Sequence, residues 1–225
     1  MRGYLVDTVP STAKHGLADR LKQATHALHR QAETTGFIGD LLAGRATRTG
    51  YGVFLRNLLP VYEALESALQ RQSAIQGPLQ ALAQPPLYRS AALRADLEHL
   101  LGPDWPSAVP GLDAGAAYVA RIEAAAAHGD GATLAGHAYV RYLGDLNGGQ
   151  ILSRLLSRNL RLPPHALQHY AFPALASLRT AALRYRQDID ALANVPGVDL
   201  DGIEEEAVAS FGCAIALGNA VLSHA

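Results

Sequence analysis

The stretch His137-Ala138-Tyr139-Val140-Arg141-Tyr142-Leu143-Gly144-Asp145-Leu146-Asn147-Gly148-Gly149-Gln150-Ile151-Leu152 sets the terms for the rest of the chain. Its apolar residues fall at helical spacing, yet three glycines occur within six positions. Each glycine costs about 0.8–1 kcal/mol relative to alanine inside a helix. Alanine fills such positions elsewhere in this sequence, so glycine here has a specific use. It serves either the close packing of another helix or a backbone laid against something flat. Gly144 and Gly148 are four apart and share a face, which a planar ligand on that face would explain. Arg141 and Asp145 stand at i, i+4, either as a solvated pair or as members of an internal polar network. Asp145 adjoins Gly144 and projects close to the glycine face, which makes its carboxylate a candidate for ordering water or delivering protons.

The same helical period extends outward in both directions. Leu55, Leu58, Leu59, Tyr62, Leu65 and Leu69 repeat it upstream, and Ile203, Val208, Phe211, Ile215 and Leu222 downstream. No run alternates with period two, and Asn147-Gly148 lies inside a helical pattern rather than at a hairpin. Breakers divide the chain into about eight helices. The first is expected to start near Ser11 or Thr12 and to end at Gly36, and a short one follows to Gly44. A long helix runs from about Thr49 to Gln72. Gln84-Pro85-Pro86 and Gly102-Pro103-Asp104 bracket another, and the next spans about Leu112 to His128. The glycine-bearing helix ends near Asn159, Phe172-Pro173 opens its successor, and Pro196-Gly197 precedes the last. The expectation is one all-α domain over residues 1–225 with a core from about 11 to 222.

Composition narrows the function classes. Hydrophobic residues make up 49% and charged residues 17%, which is globular rather than disordered. A chain of this size buries roughly 70% of its unfolded surface and needs no staple. Nineteen Lys+Arg against twenty Asp+Glu leave a net charge of −1, far from the basic excess of a nucleic-acid binder. A single cysteine, Cys213, excludes an intrachain disulfide and any multi-cysteine metal site, and fits a reducing cytosol. Met1 to Asp7 holds no apolar run of a signal peptide, and no stretch approaches eighteen uninterrupted apolar residues. A soluble, cytoplasmic protein without membrane or nucleic-acid partners is expected.

A second informative stretch is Leu21-Lys22-Gln23-Ala24-Thr25-His26-Ala27-Leu28-His29-Arg30-Gln31-Ala32-Glu33. His29 and Glu33 are one turn apart. Metal-ligating histidines usually donate their other ring N–H to a carboxylate, carbonyl or water, and Glu33 is placed for that role. A lone helical histidine is more often structural or exposed. Lys22 lies two turns before His29, about 10 Å along the axis. His26 at i−3 raises a two-histidine site, but no Glu-x-x-His pair occurs anywhere, against a di-iron carboxylate bundle.

Together the two stretches resemble the haem oxygenase family. Lys22, Thr25, His29, Ala32 and Glu33 match the family's proximal-helix pattern, and His137 through Gln150 match its distal-helix pattern. Weaker similarity runs from about Ala18 to Leu222, through Val61 to Glu66, Tyr118-Val119, Phe172-Pro173 and Tyr185-Arg186. The resemblance implies an all-α fold holding haem b, as substrate and cofactor, between a proximal helix and a kinked distal helix. It implies cleavage by O2 to biliverdin IXα, carbon monoxide and ferrous iron, with electrons from a ferredoxin or a flavoprotein reductase. A biliverdin acceptor is a further implied partner. By the same resemblance His29 is the axial iron ligand, with Thr25 and Glu33 beside the haem. Gly144 and Gly148 admit the haem face, and Asp145 holds a distal water. Tyr62, Tyr118 and Arg141 complete the network behind it. Lys22, Tyr139 and Arg186 hold the propionates, and Phe211 lines the pocket.

Two positions depart from the family pattern. Ala182 stands where a lysine is common, four residues before Arg186, and Ala214 where an asparagine often joins the distal network. Arg179 and Arg184 are the available substitutes for the lysine. Two other readings compete: a haem carrier or sensor, which has no need of a distal carboxylate, and a thiaminase-like relative with Cys213 as nucleophile. A lone cysteine in a helical pattern is more often an inert core thiol.

Overall fold

The computed structural model describes residues 16–75, 77–129 and 131–224. They form nine α-helices joined by short loops and single 3-10 turns, with no strand among the described residues. The helices are α1 (Leu17–Thr34), α2 (Gly36–Leu42), α3 (Arg48–Ala74), α4 (Ser90–Leu101), α5 (Trp105–Ala108), α6 (Asp113–Ala127), α7 (Leu134–Leu160), α8 (Leu178–Ala191) and α9 (Leu200–Leu222). The expected start near Ser11 or Thr12 lies outside the described residues.

Local chemistry sets most boundaries. The Thr47 hydroxyl accepts the Gly50 N–H to cap α3, and the Asp199 carboxylate accepts the Gly202 N–H to cap α9. Gly36 is a corner rather than a plain stop. Its φ of +62° starts α2 directly after α1, and a Cβ there would lie 2.5 Å from the Gly218 carbonyl carbon of α9. The helix expected to open at Phe172-Pro173 begins instead at Leu178, capped by the Ser177 hydroxyl. The intervening segment is held in a non-helical path because Arg89 draws in the carbonyls of His169 and Ala171 and lies 3.9 Å from the Phe172 ring centroid. The four-residue α5 was not expected; it buries Trp105 beneath Arg56.

α7 and α9 form the centre and pack on each other, with α1 and α2 on α9, α3 and α6 to one side, and α8 against α7. The core is rich in leucine, each fully buried one contributing roughly 1.5–3 kcal/mol. It also buries Tyr51, Tyr62, Tyr118, Tyr142 and Tyr185 completely. α9 is the one described helix long and apolar enough to cross a membrane by length and composition, which uninterrupted runs did not reveal. Here it packs against α1, α2, α3, α6 and α7. α1 buries only Leu17, Ala18, Leu21 and Thr25, so its second half borders open space.

Candidate functional site

That open space is a cavity walled by α1, α2, α3, α7 and α9, with apolar sides from Ile38, Leu42, Phe54, Leu58 and Phe211. α7 decides its shape. The helix runs unbroken through its glycines, and those glycines do two different jobs. A Cβ at Gly136 would meet the Ile203 carbonyl oxygen at 2.5 Å, and one at Gly149 would meet the Tyr170 ring at 3.2 Å. These two permit close packing. At Gly144 and Gly148 a Cβ would meet nothing within 4 Å, and both line the cavity. The two readings of the glycine cluster therefore divide between residues. Gly144 and Gly148 leave bare backbone facing a slot, as a flat ligand requires.

His29 lines the same cavity from α1, its ring edge-on to Phe211 at 5.7 Å between centroids. Glu33 Oε1 sits 3.6 Å from His29 Nδ1, and Nε2 has no hydrogen-bond partner among the described residues. The carboxylate is thus on the Nδ1 side, leaving Nε2 for a ligand. His26 is exposed and does not line the cavity.

Beside the slot is a buried polar network. The Tyr62 hydroxyl donates a short hydrogen bond to Asp145 Oδ2. Arg141 donates to the Tyr62 oxygen from Nε at 3.1 Å and from Nη2 at 2.9 Å, and its Nη2 is 3.9 Å from Asp145 Oδ1. Arg141 and Asp145 are therefore internal, not a solvated pair. Burial raises the Asp145 pKa above the ordinary aspartate value, against the opposing pull of Arg141 and the Tyr62 hydrogen bond. Burial likewise pushes the Tyr62 phenol well up, so it stays a donor. Burial works against the charge on Arg141, but Tyr62, Asp145 and Tyr118 outweigh it and keep the guanidinium protonated. The result is a carboxylate with raised proton affinity fixed in the wall of a largely apolar cavity.

Tyr118 lies behind Arg141 and shares a 2.5 Å hydrogen bond with Ser210 Oγ of α9. Ser210 was not foreseen. It stands one turn before Ala214 on the same helix and supplies a polar contact that Ala214 cannot. His137, at the start of the motif, is structural: its Nε2 is 3.0 Å from Glu206 Oε2 and ties α7 to α9.

The residues assigned to the propionates stand apart from the cavity lining. Tyr139 shares a hydrogen bond with Thr25, and Arg186 pairs with Asp19 at 2.5 Å. Lys22, Arg179 and Arg184 are exposed, and Ala182 is buried. Cys213 is half-buried, and burial raises its thiol pKa, the reverse of an activated nucleophile. His169 was also missed. It is buried in the cavity wall with Nε2 3.8 Å from Asp145 Oδ1, on a 3-10 turn with no sequence spacing to the motif helices.

A family model described as Heme oxygenase matches residues 15–218. Heme oxygenase 1 of Homo sapiens is 35% identical over 204 residues, covering 87% of this chain and 68% of that protein. Heme oxygenase 1 of Nostoc sp. is 33% identical over 198 residues, with 87% and 82% covered. The crystal structure of heme oxygenase-1 from the cyanobacterium Synechocystis sp., in complex with heme, superposes with a TM-score of 0.82 at 31% identity, covering 91% of each chain.

Proposed function

The chain belongs to the haem oxygenase family, whose members cleave haem oxidatively to biliverdin, carbon monoxide and ferrous iron, and from that premise we propose which of its residues perform each task. The observation carrying the proposal is the bare backbone of Gly144 and Gly148 beside the buried Asp145, in the cavity that His29 also lines. A flat macrocycle fits such a slot, and an imidazole with a free Nε2 fits its iron.

When bound, haem supplies the iron that binds and reduces O2 and the ring that is cleaved. His29 Nε2 would bind the iron, and Glu33 on the Nδ1 side would keep the imidazole's tautomer and orientation. Gly144 and Gly148 let the α7 backbone lie against the haem face. Asp145 holds a water over that face and passes protons through it, its raised pKa matching the group to that task. Tyr62 and Arg141 fix the carboxylate, and Tyr118 with Ser210 fixes Arg141. Phe211, edge-on to the His29 ring, would line the haem pocket. Tyr139, Lys22 and Arg186 would receive the propionates, with Thr25 beside the haem. Arg186 must first leave Asp19, and a half-exposed pair is worth only about 0–1 kcal/mol, so a carboxylate-bearing ligand displaces it readily. Propionates held there would set the orientation of the haem in its pocket and with it the product isomer, for which biliverdin IXα is the proposed one.

The described helices are read as one haem oxygenase-like domain. Its lone cysteine and the packing of α9 inside the bundle support a cytoplasmic protein. Electrons come from a ferredoxin or a flavoprotein reductase, and biliverdin passes to an acceptor. The test is titration of the purified protein with hemin, then addition of a reductant under air. One-to-one binding followed by growth of the biliverdin absorbance is expected. A stable haem complex that never yields biliverdin would make the protein a carrier.

A further inference from the structure

His169 is a titratable group on the cavity wall that the roles above leave unused. Its Nε2 lies 3.8 Å from Asp145 Oδ1, the carboxylate oxygen that Tyr62 does not occupy. A small side-chain movement or one shared water closes that distance. Its Nδ1 is buried without a hydrogen-bond partner among the described residues. An apolar ring of similar shape would carry no such cost, so packing alone does not account for an imidazole here.

The ring is also firmly placed. Asp96 Oδ2 on α4 accepts the His169 backbone N–H at 2.8 Å, and its Oδ1 accepts that of Gln168 at 2.8 Å. Gln150 on α7 holds the Tyr170 carbonyl at 2.7 Å. The imidazole packs edge-on to Tyr62 at 5.5 Å and to Tyr170 at 4.6 Å. The ionisable groups facing it are Asp145 and Arg141 from α7, Tyr62 from α3, Arg89 before α4, and Tyr170 on its own turn. Burial, reinforced by Arg141 and Arg89, drives its pKa well below the ordinary histidine value, so the ring is neutral. A neutral imidazole has one N–H to give and one lone pair.

We propose that His169 is a positioning residue for the haem reaction: its Nε2–H is aimed at Asp145 Oδ1 and holds that carboxylate, with its water, toward the haem. The proposal rests on the role given to Asp145 above, but the coupling of the two side chains is measurable without haem. A donor to the ionised carboxylate favours that form, so its loss should raise the proton affinity of Asp145.

The experiment follows the Asp145 carboxyl carbon by 13C NMR in apoprotein of wild type, His169→Phe and His169→Gln. His169→Phe should raise the Asp145 midpoint by about one pH unit, tenfold in proton affinity. His169→Gln, whose amide also donates, should restore most of it. An unmoved midpoint in His169→Phe overturns the proposal. Should His169→Phe fail to fold, 15N spectra of wild-type apoprotein decide: a neutral Nε2–H tautomer at pH 6 supports the proposal, and an Nδ1–H tautomer or a charged ring overturns it. In the haem complex, the pH midpoint of biliverdin yield should move with the Asp145 midpoint. A shift in the apoprotein with an unmoved yield profile would instead remove Asp145 from the reaction while leaving its coupling to His169 standing.

Discussion

Asp145→Ala removes one buried carboxylate and touches neither His29 nor the apolar walls. Haem affinity should hold while single-turnover biliverdin yield falls by about 10²–10⁴-fold, the range for a lost general acid–base group. Asp145→Asn keeps the shape beside Arg141 and separates loss of charge from loss of packing. His29→Ala should abolish native ligation and leave the fold intact, because that side chain is half-exposed and outside the core. Its ferric visible spectrum should recover on adding imidazole; a spectrum unchanged without imidazole assigns the ligand elsewhere. Asp96 permits a prediction about pH. Burial raises its pKa to about 6, above its unfolded value near 3.8. Between those values the native state binds more protons, so this group's contribution to stability falls as pH rises from about 4 to about 6. The full shift corresponds to on the order of 3 kcal/mol. Chemical denaturation of wild type and Asp96→Asn across that window should show wild type losing ground with rising pH and then levelling off. Residues whose placement follows helical spacing, such as Glu33 after His29 or Asp145 beside Gly144, were legible from the chain. Ser210 and His169 were not, because each meets its partner across a long stretch of sequence and no local period records that meeting.

Glycines along α7 offer a test at the scale of one helix. Gly144→Ala and Gly148→Ala should each stabilise the apoprotein by up to about 1 kcal/mol, since the new methyl group enters open space and the helix gains propensity. The same methyl groups stand where a flat ligand must lie, so hemin affinity should fall. Gly136→Ala should do the opposite, destabilising the apoprotein because its Cβ meets the α9 backbone. Thermal melts and hemin titrations of the three variants check both halves, and stabilised variants with undiminished affinity would remove haem from this face. Sequence period located the long helices to within a few residues, as for α3, expected from Thr49 to Gln72 and found at Arg48–Ala74. It failed between α7 and α8. There Arg89 and Asp96, side chains from another part of the chain, occupy the backbone groups that a helix would otherwise pair internally.

Taken whole, the protein holds a cavity that costs it core contacts until a ligand fills it. Hemin at one hundred times its dissociation constant should therefore add about 2.7 kcal/mol. For a domain of about 150–250 residues, where 1 kcal/mol moves Tm by about 2–4 °C, that is a rise of about 5–11 °C. His29→Ala should show a smaller rise at equal hemin, and no rise in either protein would mean that haem does not bind the native state. The fold class and the cavity's principal residues were readable in advance because helices announce themselves locally. How α1, α2 and α9 meet is a long-range matter, settled by contacts such as Gly36 against Gly218. That corner has a consequence in time. During synthesis α1 and α2 emerge first and α9 last, and Phe211 and Ile215 on α9 complete the cavity that begins at His29. A nascent chain halted just before α9 lacks the wall that Phe211 and Ile215 form, so the cavity beside His29 stays open on that side. Full enclosure of a ligand beside His29 is thereby deferred until α9 has been made and folded against α1 and α2.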